Sequence, residues 1–191
     1  MTETKDTKEG VPLAVRQFVL EWGNLGERWG VNRSVSQIHA LLYASKLPLA
    51  AEDIADTLGI ARSNVSNSLR ELQTWNLIRP VSVLGDRRTF YQAETDLWTL
   101  VSRIAAGRKA RELDPATDAL RQCVEMCRED KAVDPVVQLR LREMLEFVER
   151  ISRWYDQMIA LPRSTIATLI KLGGGIARLL DRGGKKSRDL L

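Results

Sequence analysis

The most constraining feature is a single change of hydrophobic period between Ala50 and Ala93. Apolar residues first recur at helical spacing: Ile54, Ala55 and Leu58, then Val65, Leu69 and Leu72. Gly59 separates the two groups and supplies a helix stop followed by a tight turn. Past Trp75-Asn76 the chain turns β-branched and aromatic, in Leu77–Val83 and Thr89–Ala93. Leu84-Gly85-Asp86-Arg87-Arg88 lies between these runs and carries a turn signal, so the reading is a two-stranded hairpin. Two short helices joined by a glycine turn and followed by a hairpin predict a winged helix-turn-helix. The fold class expected is mainly α, with a two-stranded β-wing and N- and C-terminal dimerisation helices.

The flanks are helical by the same spacing. Val15, Phe18, Val19, Trp22, Leu25 and Trp29 make one face of a first helix, which Gly30 ends. Gly23 and Gly26 weaken that helix in isolation, so packing must hold it. A second helix opens at Ser34 or Ser36, and Ser34 with Gln37 has capping-box spacing. Beyond Glu94, helices are expected over about 95–111, 115–130 and 135–160, the last two opened by Asp114-Pro115 and Asp134-Pro135. The last has more apolar positions than one stripe of a surface helix holds, which predicts a subunit interface. The domains expected are a disordered 1–10, an N-terminal helix in 11–33, the winged helix-turn-helix domain at 34–93, a helical dimerisation region at 94–172 and a flexible basic tail at 173–191.

Composition narrows the function. Lys plus Arg is 29 and Asp plus Glu 25, a net charge of +4. The excess is uneven: Arg62–Tyr91 carries five Arg against two acids, whereas Ser34–Ile60 carries one Lys against three acids. Basic charge thus gathers on the second helix of the pair and on the hairpin tip, as a nucleic-acid contact requires. The chain has 1 His and 2 Cys, too few for most zinc sites, for His-based acid–base chemistry or for a disulfide scaffold. His39 falls in an apolar helical register and reads as a satisfied core residue. Cys123 and Cys127, four apart on one helix face, are beyond mutual disulfide reach and read as small buried residues. No metal, cofactor or enzymatic activity is expected. No run of about 18 uncharged apolar residues occurs, so a cytoplasmic protein without a membrane span is expected.

A helical wheel indicates what the second helix would present. With the core direction set by Val65, Leu69 and Leu72, Ser63, Asn67 and Arg70 point away from it. Asn64 and Ser66 flank them, and Arg62 occupies the first turn. Amides, hydroxyls and guanidinium are the groups that read base edges or hold phosphates. Arg87 and Arg88 at the hairpin tip suit a narrow minor groove. The rival reading is a winged helix used for protein–protein assembly without DNA.

An ordered series of motifs extends this. Phe18-Val-Leu-Glu-Trp22-Gly23, Trp29-Gly30-Val-Asn-Arg-Ser, Pro48-Leu-Ala-Ala-Glu-Asp-Ile54-Ala55 and Ala61-Arg62-Ser63-Asn64-Val65-Ser66 come first. Trp75-Asn76-Leu77-Ile78, Gly85-Asp86-Arg87-Arg88, Asp96-Leu-Trp98, Arg111-Glu-Leu-Asp-Pro115 and Arg153-Trp154-Tyr155 follow. Over about residues 15–175 the chain resembles the GbsR-like branch of the MarR-type winged helix-turn-helix transcriptional regulators. The resemblance implies a homodimer that binds double-stranded DNA, usually as a repressor. It implies that Asp86 orients an arginine, that Arg88 reaches DNA, and that Arg62, Asn64 and Ser66 begin the recognition helix. Ala61 stands where the family pattern has Ser, and Ser63 is expected to cap one step later. Some such proteins sense choline-type cations, and Trp22, Trp98, Trp154 and Tyr155 are the candidate cage for a small effector.

Overall fold

The structure is a computed structural model and describes residues 11–173. The expected disordered N-terminus and residues 174–191 of the tail lie outside the described residues. The chain forms two compact units that divide between residues 104 and 105.

The first unit opens with α1 (Leu13–Arg28) and α2 (Arg33–Ala44). Gly23 and Gly26 are where these helices meet: a Cβ at Gly26 would stand 1.9 Å from Ser36 Oγ. The glycines that weaken α1 alone are therefore what lets it approach α2. Asn32, not Ser34, caps α2, accepting from Ser34 N at 2.8 Å. The expected Ser34 cap is thus corrected: Asn32 takes that role and the Ser34 hydroxyl is used elsewhere.

Two residues of β1 (Leu49–Ala50) lead into α3 (Ala51–Leu58). Gly59 then takes φ 65°, the left-handed stop that its place after the helix predicts. Helix α4 (Arg62–Thr74) follows, then β2 (Ile78–Ser82) and β3 (Thr89–Ala93). The two-stranded wing β2–β3 forms as expected, and β1 joins it as a third strand in an antiparallel sheet of order β1-β3-β2. Leu49 pairs with Tyr91 and Ala50 with Phe90. A two-residue strand has no period of its own, and its partner lies about forty positions away. Pro80 is tolerated because β2 is an edge strand.

The core joins α1 to α4 and the sheet. Ile38, Ile54, Val65, Leu69 and Leu72 are almost fully buried, with Val19, Leu41, Ile78 and Leu100 around them. His39 is buried as expected, but it is not satisfied: its Nε2 has no hydrogen-bond partner. Asn76 takes φ 55°, closing α4 in the left-handed conformation. Its carbonyl accepts from Arg103 Nη1. Arg103 also pairs with Glu94 at 3.3 Å.

Helix α5 (Leu97–Arg108) passes without a break into a π-helical turn, Lys109–Leu113, and then α6 (Asp114–Glu129). The gap expected before Asp114-Pro115 is absent. Pro115 lacks an N–H and its ring crowds the carbonyl four residues back. A π turn, with Asp114 N donating to Lys109 O, widens the helix there instead of ending it. In the second unit α6 packs on α7 (Pro135–Ala160). Asp134 caps α7 through Val136 N at 2.7 Å, as its Asp-Pro start predicts. Arg121 bonds Glu149 at 2.8 Å across the pair. Residues 163–173 are again helical. Cys123 is exposed and Cys127 half-buried, both free, so the buried-pair expectation fails for Cys123.

Candidate nucleic-acid interface

Helix α4 divides into two faces. Val65, Ser68, Leu69 and Leu72 are buried. Arg62, Ser63, Ser66, Asn67 and Arg70 are exposed, so five of the six α4 residues expected to meet DNA lie on open surface. Arg70 Nη1 lies 3.5 Å from Asn67 Oδ1, which pre-sets these two side chains beside each other. Ala61 offers no side-chain cap, and Ser63, already within the helix, makes none. The expected Ser63 cap is therefore absent, and the first-turn amides of α4 are left without a side-chain acceptor, an arrangement that favours an anion.

The sixth residue, Asn64, faces inward. Its Nδ2 donates to Ser34 Oγ at 2.9 Å, and its Oδ1 lies 3.5 Å from Ser68 Oγ. It anchors α4 to α2 in this structure. The helical wheel placed it at the margin of the outward face, and a long-range hydrogen bond decided which way it turned.

At the wing, Gly85 has φ 86° and Leu84 is fully exposed. Arg87 is exposed, with no hydrogen bond or ion pair among the described residues. Asp86 pairs with an arginine: its Oδ2 accepts from Arg88 Nη2 at 2.8 Å and from Nε at 3.0 Å. The hydrogen bonds from Arg88 hold the Asp86 carboxyl below its ordinary pKa, and Asp86 pushes the Arg88 guanidinium up. Arg88 also reaches back to α3, with Nη1 3.3 Å from Asp53 Oδ1. Its guanidinium carbon sits 5.1 Å over the Phe90 ring. Asp53 has a second task. Ala50 N donates to its Oδ2 at 3.3 Å, half of a capping box that the Ala50 side chain cannot complete.

Asp53, Phe90 and Leu84 were not among the sequence-derived site residues. The signal for Asp53 was an acid at the third position of a helix whose cap residue has no side-chain acceptor. Its arginine partner lies 35 positions away and leaves no local pattern.

The aromatic candidates are divided between the two units. Trp22 packs on Phe18 with ring centroids 5.6 Å apart. Trp22 and Trp98 belong to the first unit, Trp154 and Tyr155 to the second. Tyr155 donates its hydroxyl to Ala105 O at 3.2 Å, and Trp154 is 55% exposed. Neither unit by itself gathers the four into a cage. Among the described residues no group of His, Cys, Asp and Glu is placed to hold a metal ion, and no helix is long and apolar enough to cross a membrane.

The fold and this two-faced helix define a winged helix domain. Residues 26–89 match the family model described as the MarR family, a span holding α2 to α4 and the wing turn. No curated protein matches the chain. A crystal structure of a transcriptional regulator is similar over 76% of this chain and 95% of its own, at 18% identity and a TM-score of 0.60. A complex of S. aureus MepR with DNA aligns over 71% of this chain and 93% of its own, at 18% identity and a TM-score of 0.35. A MepR mutant bound to an oligodeoxyribonucleotide gives 21% identity, 71% and 90% coverage and a TM-score of 0.36.

Proposed function

We propose that this protein is a sequence-specific DNA-binding transcription regulator of MarR type, in its GbsR-like branch, acting as a homodimeric repressor. One observation carries the reading. The solvent face of α4 is Arg62, Ser63, Ser66, Asn67 and Arg70, with no aliphatic side chain among them, over a back that is buried aliphatic packing. The MarR-family match over residues 26–89 supports it, and the ordered motif series of the chain supports the branch. Asn67 and Arg70 supply the side-chain types that bond adenine and guanine edges. Arg62 and the open first-turn amides suit backbone phosphate, and the wing tip lies at the flanking minor groove.

The homodimer reading rests on α7. Met144, Phe147, Ile151 and Trp154 follow one another at spacings of three and four, and all are exposed. A stripe of that composition is covered in a stable soluble assembly, and a second copy supplies the matching stripe by symmetry. Two recognition helices then enter successive major grooves, about 34 Å apart.

Selection of duplexes from a random-sequence pool tests this. A conserved motif with two half-sites, and an affinity that falls steeply and linearly on a log–log salt plot, are expected. A protein that retains no duplex in dilute buffer, yet captures a protein partner, is instead an assembly module.

A further inference from the structure

The turn of the wing carries an apolar side chain that the fold does not use. Val83–Asp86 is a tight turn: Asp86 N donates to Val83 O at 3.1 Å, and Gly85 at its third position has φ 86°. That position is the one a type II turn reserves for glycine. Leu84 takes the position before it, where the turn favours proline and asks for no apolar group. Its side chain is the most exposed of the large apolar ones among the described residues, ahead of Leu13 and Leu47. Val83 beside it is also exposed. A single exposed leucine is ordinary on a protein surface. This one stands at the turn of a braced hairpin: β2 and β3 pair along their length, and Asp86 Oδ1 accepts from Arg88 N at 2.9 Å. That brace uses the Arg88 backbone, so it does not depend on where the guanidinium lies. Arg87, three residues past Leu84, is exposed with no hydrogen bond or ion pair among the described residues. The turn thus presents an aliphatic point next to cationic side chains.

We propose that Leu84 is an apolar wedge: it enters the minor groove beside the bases that α4 meets, presses into a base step, and makes affinity depend on how readily that step unstacks. This rests on the DNA-binding reading above and adds a source of sequence preference to it. The wing arginines supply the charge that holds the turn in the groove. Charge responds to groove width, not to the softness of one step. An aliphatic side chain pushed between bases does respond to it: pyrimidine–purine steps yield most easily and the others resist. A loop that had to order itself first would lose much of that gain, whereas a turn already formed does not.

The test uses the full chain and duplexes that the wild type selects from a random-sequence pool. The wild-type motif is expected to favour a pyrimidine–purine step outside the bases that α4 meets. With 2-aminopurine placed at that step, fluorescence is expected to rise when the wild type binds, because the base unstacks. Leu84→Ser keeps a residue the turn accepts and removes the wedge. It is expected to bind the same duplex about tenfold more weakly, with the log–log salt slope unchanged because no phosphate contact is lost. Its own selected motif should keep the α4 bases and lose the flanking step, and Leu84→Met should keep both. A wild-type motif with no flanking preference, a bound duplex with no rise in fluorescence, or a Leu84→Ser motif identical to the wild-type one each overturns the wedge. The first two need no variant to fold. A wild type that retains no duplex overturns the DNA-binding reading and the wedge with it; the other overturning results sink the wedge alone.

Discussion

Asn64 and Ser34 face each other at 2.9 Å, joining the first turn of α4 to the first turn of α2. The exposed Asn67, one turn further along the same helix, has no such anchor in the scaffold. Two asparagines three residues apart are thus given different work. Asn64→Ala is expected to lower stability by about 1 kcal/mol, as loss of one partly buried hydrogen bond does. Ser34→Ala should cost a similar amount, and the double variant less than their sum. Asn67→Ala should leave the urea midpoint unchanged and weaken binding to selected duplexes. Equal midpoints for Asn64→Ala and wild type would refute the anchor.

The proposed reading gives Arg70 a part in sequence preference. Arg70→Ala is expected to relax discrimination at one base position, by about 1–3 kcal/mol. The measurement is a comparison of selected motifs for wild type and variant. An unchanged motif removes Arg70 from the base-reading set.

His39 gives the fold a dependence on pH. Burial lowers its pKa from 6.5 to about 4, and its Nε2 has no partner. The native chain therefore binds fewer protons than the unfolded chain between those values, so stability rises with pH across that interval. The contribution is fully present above about 6.5 and is lost as pH falls toward 4. Its size is about 3 kcal/mol at most. His39→Phe should flatten that part of the stability curve. A wild-type curve already flat between pH 6.5 and 4 excludes the effect.

Gly26 is a packing position. Ser36, which its Cβ would strike at 1.9 Å, is itself buried, so there is little room to yield. Gly26→Ala should destabilise by about 1–3 kcal/mol despite the better helix propensity of Ala. A higher midpoint in denaturant for the variant would show that α1 and α2 are free to separate.

The dimer proposed on the α7 stripe is open to a direct test. Phe147→Glu with Ile151→Glu places two charges on it and should shift sedimentation from dimer to monomer. DNA affinity should fall with it, because two half-sites are then engaged one at a time. A wild type that sediments as a monomer at micromolar concentration overturns the dimer.

Much of this was legible beforehand. The long helix 135–160, the left-handed stops at Gly59 and Asn76 and the inward stripe Val65, Leu69 and Leu72 all follow from local rules. What escaped was settled by partners distant in sequence. Strand β1 exists because β3 lies beside it, Asn64 turns inward because Ser34 is there, and Asp53 meets Arg88 only once the wing has folded back. The missing break before Pro115 is a different failure. By local rules proline marks a boundary, whereas here a wider helical turn absorbs it without interrupting the rod.

The Arg103 contact to the Asn76 carbonyl ties two levels of the domain together. Asn76 is the hinge stone beneath α4, and the arm that steadies it grows from α5. A displacement of α5 would act through this hydrogen bond on the residue that closes α4. On the DNA-binding reading, a change at α5 would therefore be felt at the far end of the helix proposed to meet the duplex.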